Sequence, residues 1–111
     1  MGREFKLINM LLAEGALEIL ECIEELEVAR FGDFKRLRNG RTGKVFSANT
    51  LSSRLKELAS SGAIDNTVIE SRKQRKVVGY KITANGKKAL RLAIKYENEL
   101  EKILKPNKIG E

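Results

Sequence analysis

The residues best equipped for chemistry in this sequence are cations and short polar side chains. Arg72-Lys73-Gln74-Arg75-Lys76 puts four positive charges into five positions. Like charges packed so closely repel one another. A polyanion would offset that repulsion, because each cation that neutralises a phosphate releases counterions. A second basic group, Lys35, Arg36, Arg38, Arg41 and Lys44, surrounds an Asn-Gly-rich stretch. It is suited to backbone contacts. Between the two lies a run in which Ser47, Asn49, Thr50, Ser52, Ser53 and Lys56 supply short hydroxyl, amide and ammonium groups. Such groups can approach base edges and phosphates closely enough to hydrogen-bond.

Other chemistries find no residues. The sequence has no His, which removes the commonest general base, metal ligand and pH switch together. Cys22 is the single cysteine, so neither an internal disulfide nor a zinc site is expected. Its place between Glu21 and Ile23 in an apolar-periodic stretch marks it as a core thiol, and acidic neighbours disfavour a thiolate. Gly40-x-x-Gly43 is too short and wrongly placed for a phosphate loop of the Walker type. Glu24, Glu25 and Glu27 resemble the wet side of a helix rather than a paired-carboxylate site. No enzyme activity, cofactor or metal is expected.

The chain has 111 residues, of which 41% are apolar and 33% charged. That length suits one domain with one core, spanning the whole chain. Lys and Arg number 22 against 15 Asp and Glu, for a net charge of +7. The excess is not spread evenly. Residues 1–28 hold two basic and seven acidic side chains, residues 29–88 hold fifteen and four, and residues 89–111 hold five and four. A basic middle between acidic and nearly neutral ends implies a cationic face. No apolar run approaches the ~20 residues that span a bilayer. The opening residues lack the pattern of a secretory signal, so the expected location is cytoplasmic, on the nucleoid, with no membrane partner.

Elements able to position these groups follow from periodicity. Phe5, Ile8, Leu11 and Leu12 suggest a short first helix. Ala16, Ile19, Leu20, Ile23 and Leu26 form the stripe of a second, with Glu18, Glu21, Glu24 and Glu25 facing water. Phe31 to Leu37 reads as another short helix, with Phe34 and Leu37 inward, and residues 39–44 as a loop. Ser47 is the expected N-cap of a helix whose buried stripe is Leu51, Leu55 and Leu58, with Gly62 as its left-handed cap. Residues 64–70 and 77–82 read as the strands of a hairpin, with Val78, Tyr80 and Ile82 on one side and a charged turn at 71–76. Thr83 caps a last helix running from about residue 84 towards residue 105, which Pro106 ends. The expected class is α+β, mostly α: a winged helix-turn-helix whose core spans about residues 16–88, with flanking N- and C-terminal helices.

On the 47–61 helix, Asn49, Ser53, Lys56 and Ser60 fall opposite Leu51 at 100° per residue. No acid interrupts the exposed N-terminal half before Glu57. This helix is therefore the expected reading element, with the 71–76 turn on the backbone or minor groove. On the last helix, Ala89, Ala93, Tyr96, Leu100 and Ile103 recur at heptad spacing. A homodimer is the natural way to bury that seam.

The segments Arg30-Phe31-Gly32-Asp33-Phe34, Ser47-x-x-Thr50-Leu51-Ser52-Ser53-Arg54-Leu55-Lys56-Glu57-Leu58-x-x-x-Gly62-x-Ile64 and Gly79-Tyr80-Lys81-Ile82-Thr83-x-x-Gly86 resemble prokaryotic winged-helix transcription regulators. The likeness is to the HxlR group, with MarR, ArsR and PadR types as relatives, and it covers residues 16–90. It implies a dimer that places one helix per subunit in successive major grooves of double-stranded DNA. Ser47, Asn49, Thr50, Ser52, Ser53 and Lys56 would then sit at the bases. Arg36, Arg41 and Lys44 would meet the backbone, and Arg72, Lys73, Arg75 and Lys76 would form the wing. The loop before the reading helix is longer than is usual in the HxlR group, and the wing is more basic and lacks prolines. Two other readings of the same residues are an architectural protein coating DNA without sequence preference and a winged helix binding protein or RNA. No effector ligand can be read from the sequence.

Overall fold

The computed structural model describes residues 3–70 and 75–104. Along the chain lie α1 (Lys6–Leu11), α2 (Ala16–Leu26), β1 (Ala29–Arg30), α3 (Phe31–Phe34), α4 (Ala48–Ser60), β2 (Ile64–Glu70), β3 (Lys76–Ile82) and α5 (Ala84–Ile103). The three strands form one antiparallel sheet in the order β1-β3-β2. Three helices, a hairpin and flanking helices make this an α+β, mostly helical, winged-helix fold.

Local chemistry sets the helix ends. At α4 the Ser47 hydroxyl accepts from the Thr50 amide at 3.1 Å, and at α5 the Thr83 hydroxyl accepts from the Gly86 amide at 2.9 Å. Both satisfy donors that the first turn leaves open. Gly62 follows α4 at φ +84°, a left-handed conformation that costs an L side chain energy. α5 ends at Ile103; Pro106, the expected stop, lies outside the described residues.

The core is built on α2. Ile19, Leu20 and Ile23 are fully buried with Phe34, Leu51, Leu58, Ile64 and Leu90, so α2, α3, α4, β2 and α5 each contribute at least one side chain. Leu26 was expected in the α2 stripe but is 47% exposed, because the helix ends there and Glu27 turns away at φ +67°. Val78 also departs from expectation. Tyr80 and Ile82 pack on the core, while Val78 stands opposite Val68 further out on the hairpin, and both are exposed. The core ends before the strands do.

β1 was not foreseen, since two residues cannot display an alternation. It pairs Ala29 with Tyr80 and Arg30 with Gly79. The Arg30 amide also donates to Asp33 Oδ2 at 2.7 Å, which starts α3. The Phe34 ring then meets Tyr80 with centroids 5.7 Å apart, a favourable tilted geometry.

The tightest packing lies where α4, the hairpin and α5 meet. A Cβ added to Gly86 would sit 2.0 Å from the Ala63 carbonyl oxygen, so only glycine fits there. Gly62 has open space around its Cβ position but an unfavourable φ. Gly62→Ala is therefore expected to cost about 1–2 kcal/mol. Gly86→Ala should cost more, at the upper end of the ~1–3 kcal/mol usual for overpacking or beyond it. Denaturant midpoints of the two variants check the ordering, and equal midpoints would contradict it.

Candidate nucleic-acid interface

The exposed side of α4 carries Asn49, Ser52, Ser53 and Lys56. The opposite side carries Leu51, Leu55 and Leu58, all buried. None of those four polar side chains makes a hydrogen bond or ion pair among the described residues, so their donors and acceptors are available to a ligand. Ser47 and Thr50 are placed differently. The Ser47 hydroxyl donates to Thr50 Oγ1 at 3.0 Å while accepting from the Thr50 amide, so these two side chains satisfy each other at the cap.

Arg54, which is not among the candidate contacts, has a structural place. It is half-buried, pairs with Glu57 one turn on, and keeps its Nε enclosed without a partner. Its stem lies 3.6 Å from the Cβ position of Gly15. Arg54 therefore braces α4 against the start of α2. The i, i+3 pairing with Glu57 was the available signal.

The segment before α4 is a built turn. Asn39 Oδ1 accepts from the amides of Arg41 at 2.7 Å and Thr42 at 3.4 Å. The Asn39 amide donates to the Lys44 carbonyl, and the Gly43 amide to the Asn39 carbonyl, each at 2.8 Å. Arg38 bridges to Val45, and its guanidinium donates to the Gly43 carbonyl at 2.9 Å. Two α2-side acids hold the turn from outside. Glu14 accepts from the Asn39 amide nitrogen Nδ2 at 3.3 Å, and Glu18 from the Gly40 amide at 3.2 Å. Glu18 was expected to face water and instead anchors this turn. Arg36, Arg41 and Lys44 remain exposed, with no side-chain partner among the described residues. Phe46, which is buried, joins the turn to the α4 cap.

In the hairpin, the outermost pair of the ladder is Glu70 with Lys76. Lys76 thus belongs to β3 and not to the turn, opposite a carboxylate of complementary sign. Arg75 is exposed beside it. Arg72 and Lys73 lie outside the described residues. The 39–44 turn and the hairpin thus flank α4 at its two ends. The 39–44 turn leads into the α4 N-terminus, and Ala63 carries the chain from its C-terminus into β2.

On α5, Ala89 and Ala93 are half-buried, whereas Tyr96, Leu100 and Ile103 are 56%, 48% and 72% exposed. Leu92 and Leu104 extend this open apolar strip, and Phe5, Leu7, Ile8 and Leu12 leave another around α1. Cys22 packs half-buried against the core. Burial first, then the Asp33 and Glu25 carboxylates, push its thiol up from the ordinary value, which disfavours the thiolate. Among the described residues no cluster of His, Cys, Asp and Glu could hold a metal ion. No helix among them is long and apolar enough to cross a membrane.

Neither a protein-family model nor a curated protein matches the chain. Among solved structures, it is similar to TA0346, a proposed transcriptional regulator from Thermoplasma acidophilum. The TM-score is 0.57 at 21% identity, over 78% of this chain and 89% of that one. That likeness concerns the fold.

Asn39 carries the turn through its side chain. Asn39→Ala removes the acceptor for two amides and the donor to Glu14. It should lower stability by about 1 kcal/mol and speed amide exchange at Arg41 and Thr42. Unchanged exchange there would mean that the backbone alone holds the turn.

Proposed function

We propose that this chain is a DNA-binding transcription regulator that works as a homodimer, with α4 in the major groove and the hairpin as its wing. The observation that carries the reading is the partner-free polar face of α4, set between the exposed cations of the 39–44 turn and the strands of the wing. Asn49, Ser52, Ser53 and Lys56 would meet base edges or phosphates. Arg36, Arg41 and Lys44 would meet the backbone on one flank, and Arg72, Lys73, Arg75 and Lys76 on the other. Ser47 and Thr50 would contribute mainly by capping α4. TA0346 shares the fold and is itself a proposed transcriptional regulator, which agrees with this reading. The whole chain would act as a single winged-helix domain in the cytoplasm, on the nucleoid.

The apolar strip of α5, with Tyr96, Leu100 and Ile103 at its centre and Ala89 and Ala93 at its base, is the proposed dimer contact. A two-fold pair sets its reading helices about 34 Å apart, one turn of duplex, and favours palindromic sites. The HxlR group is the subfamily that the sequence resembles.

Selection of bound duplexes from a random pool, followed by salt titration, tests the reading. Arg41→Ala and Lys56→Ala should each reduce the slope of log K against log salt by about 0.9, as expected for one lost phosphate contact. Asn49→Ala should instead relax base preference, by about 1–3 kcal/mol at one position. Wild-type affinity equal for selected and random duplexes would assign the chain to sequence-independent coating of DNA.

Dimerisation has its own readout. Leu100→Asp with Ile103→Asp places two charges in the proposed seam and should convert the dimer to monomer in sedimentation equilibrium, with the secondary structure intact. A wild-type chain that sediments as a monomer at tens of micromolar would refute the seam.

A further inference from the structure

A second cationic surface lies on α5, apart from the cations considered so far. Lys87, Lys88, Arg91 and Lys95 line a shallow groove of about 400 Å³ together with Leu92. At 100° per residue the four cations fall within about 100° of arc. That arc is turned about 130° from Gly86 and Leu90, the side that packs on the domain. All four are exposed, and no acid occurs between Ala84 and Tyr96.

This arrangement is unfavourable for the free helix. Lys87 with Arg91, Lys88 with Arg91, and Arg91 with Lys95 are like-charge pairs at i, i+4 or i, i+3 spacing, each destabilising. The first turn carries no acid, so nothing complements the positive end of the helix dipole just before Lys87 and Lys88. Only Arg91 finds a carboxylate, that of Glu24 on α2. Lys87, Lys88 and Lys95 have no partner among the described residues. The outer half of the same helix is ordinary by comparison. Glu97, Glu99, Glu101 and Lys102 alternate there, and Lys102 pairs with Glu99 at 3.5 Å. The cations are thus segregated into the half of α5 that lies against the domain.

We infer that this arc of α5 is a second contact surface for the phosphate backbone of duplex DNA, outside the footprint of α4 and the wing. Lys88 and Lys95 are about 10 Å apart along the helix at 1.5 Å per residue. Duplex DNA presents a phosphate charge every ~1.7 Å of axis, so several phosphates come within reach of the arc at once. Leu92 can rest on the sugars between them. A lipid surface fits less well. An interfacial helix inserts the apolar face that lies opposite its cations, and here that face is the strip through Tyr96 and Leu100, which the proposed dimer covers. The inference rests on the reading that the chain binds duplex DNA, and its test separates the two.

Salt titration of duplex binding is run on three full-length variants: Lys88→Gln with Lys95→Gln, Lys88→Arg with Lys95→Arg, and Arg41→Ala with Lys56→Ala. The Gln pair should lower the log–log salt slope by about 1.8, two phosphate contacts, and the Arg pair should restore it. The Gln pair should also melt no lower than wild type in the absence of DNA, because it relieves repulsion. An unchanged slope for the Gln pair, with a reduced slope for Arg41→Ala with Lys56→Ala, overturns the α5 surface and leaves the α4 reading standing. The reverse pattern supports the α5 surface and overturns the α4 reading. An unchanged slope together with lost binding to phosphatidylglycerol vesicles reassigns the arc to lipid and also overturns the inference.

Discussion

One carbonyl group organises this molecule. The Ala63 oxygen accepts from the Thr83 amide at 3.0 Å and from the Thr83 hydroxyl at 3.1 Å, while the same hydroxyl donates to the Gly62 carbonyl at 2.6 Å. Gly86 leaves room for this oxygen where no side chain could. The end of α4, the first pair of the hairpin at Ile64 and Ile82, and the first turn of α5 are therefore fixed at one point. Moving any of them would leave carbonyls without donors, at about 1–3 kcal/mol for each group left buried and unsatisfied. The orientation of α4 relative to the wing is thus a property of the backbone junction, which the buried Leu58, Ile64 and Leu90 then hold closed.

The acidic N-terminal segment gains a role from this architecture. Its carboxylates are counter-charges placed along α2 and just before it. Glu14 and Glu18 take the turn before α4, and Glu24 takes Arg91 of α5. These bonds sit at exposed or half-buried positions, where a single ion pair contributes little energy. Their effect is on geometry, because Glu14 and Glu18 hold the turn through amides without pairing its cations. Arg41 and Lys44 stay exposed while the turn that carries them is held through the Asn39 side chain and backbone amides. A fold that paired every cation with an acid would have no field left for a polyanion.

What the sequence disclosed and what it hid divide along physical lines. The caps at Ser47 and Thr83, the left-handed Gly62, and the stripe of Leu51, Leu55 and Leu58 depend on residues three or four positions apart, so they could be read directly. The hairpin was legible for the same reason, through its β-branched runs. Hidden features depend on partners far along the chain. Glu18 looked like any solvated acid until Gly40, twenty-two residues later, came to rest against it. β1 exists only because Tyr80 and Gly79 offer it a ladder. Val78 matched the inward alternation of its strand, yet the helices that would have covered it stop short. In the candidate site, the polar face of α4 was legible down to individual residues. The α5 arc has the same close spacing, but which side of the helix faces out depends on the burial of Leu90 and on Glu24, sixty-seven residues before Arg91.

The three faces of α5 show why such a surface need not compete with the others. Gly86 and Leu90 point into the domain, the strip through Tyr96 and Leu100 lies about 80° to one side, and the cationic arc lies about 130° to the other. A helix this narrow can carry three contacts only if each stays within roughly a third of its circumference, and α5 keeps to that division except at Leu92, which borders both the arc and the strip. Acids appear only after Tyr96, where the helix runs out along its apolar strip. The cations before it stand without intervening acids, where the helix is held against α2 by Leu90 and Glu24, whereas Lys102 beyond it is paired with Glu99. The half packed on the domain therefore carries the net positive charge, and the open half carries most of the exposed apolar surface. That is the distribution required if ordered phosphates are to meet fixed positions while a second copy of the chain covers the rest.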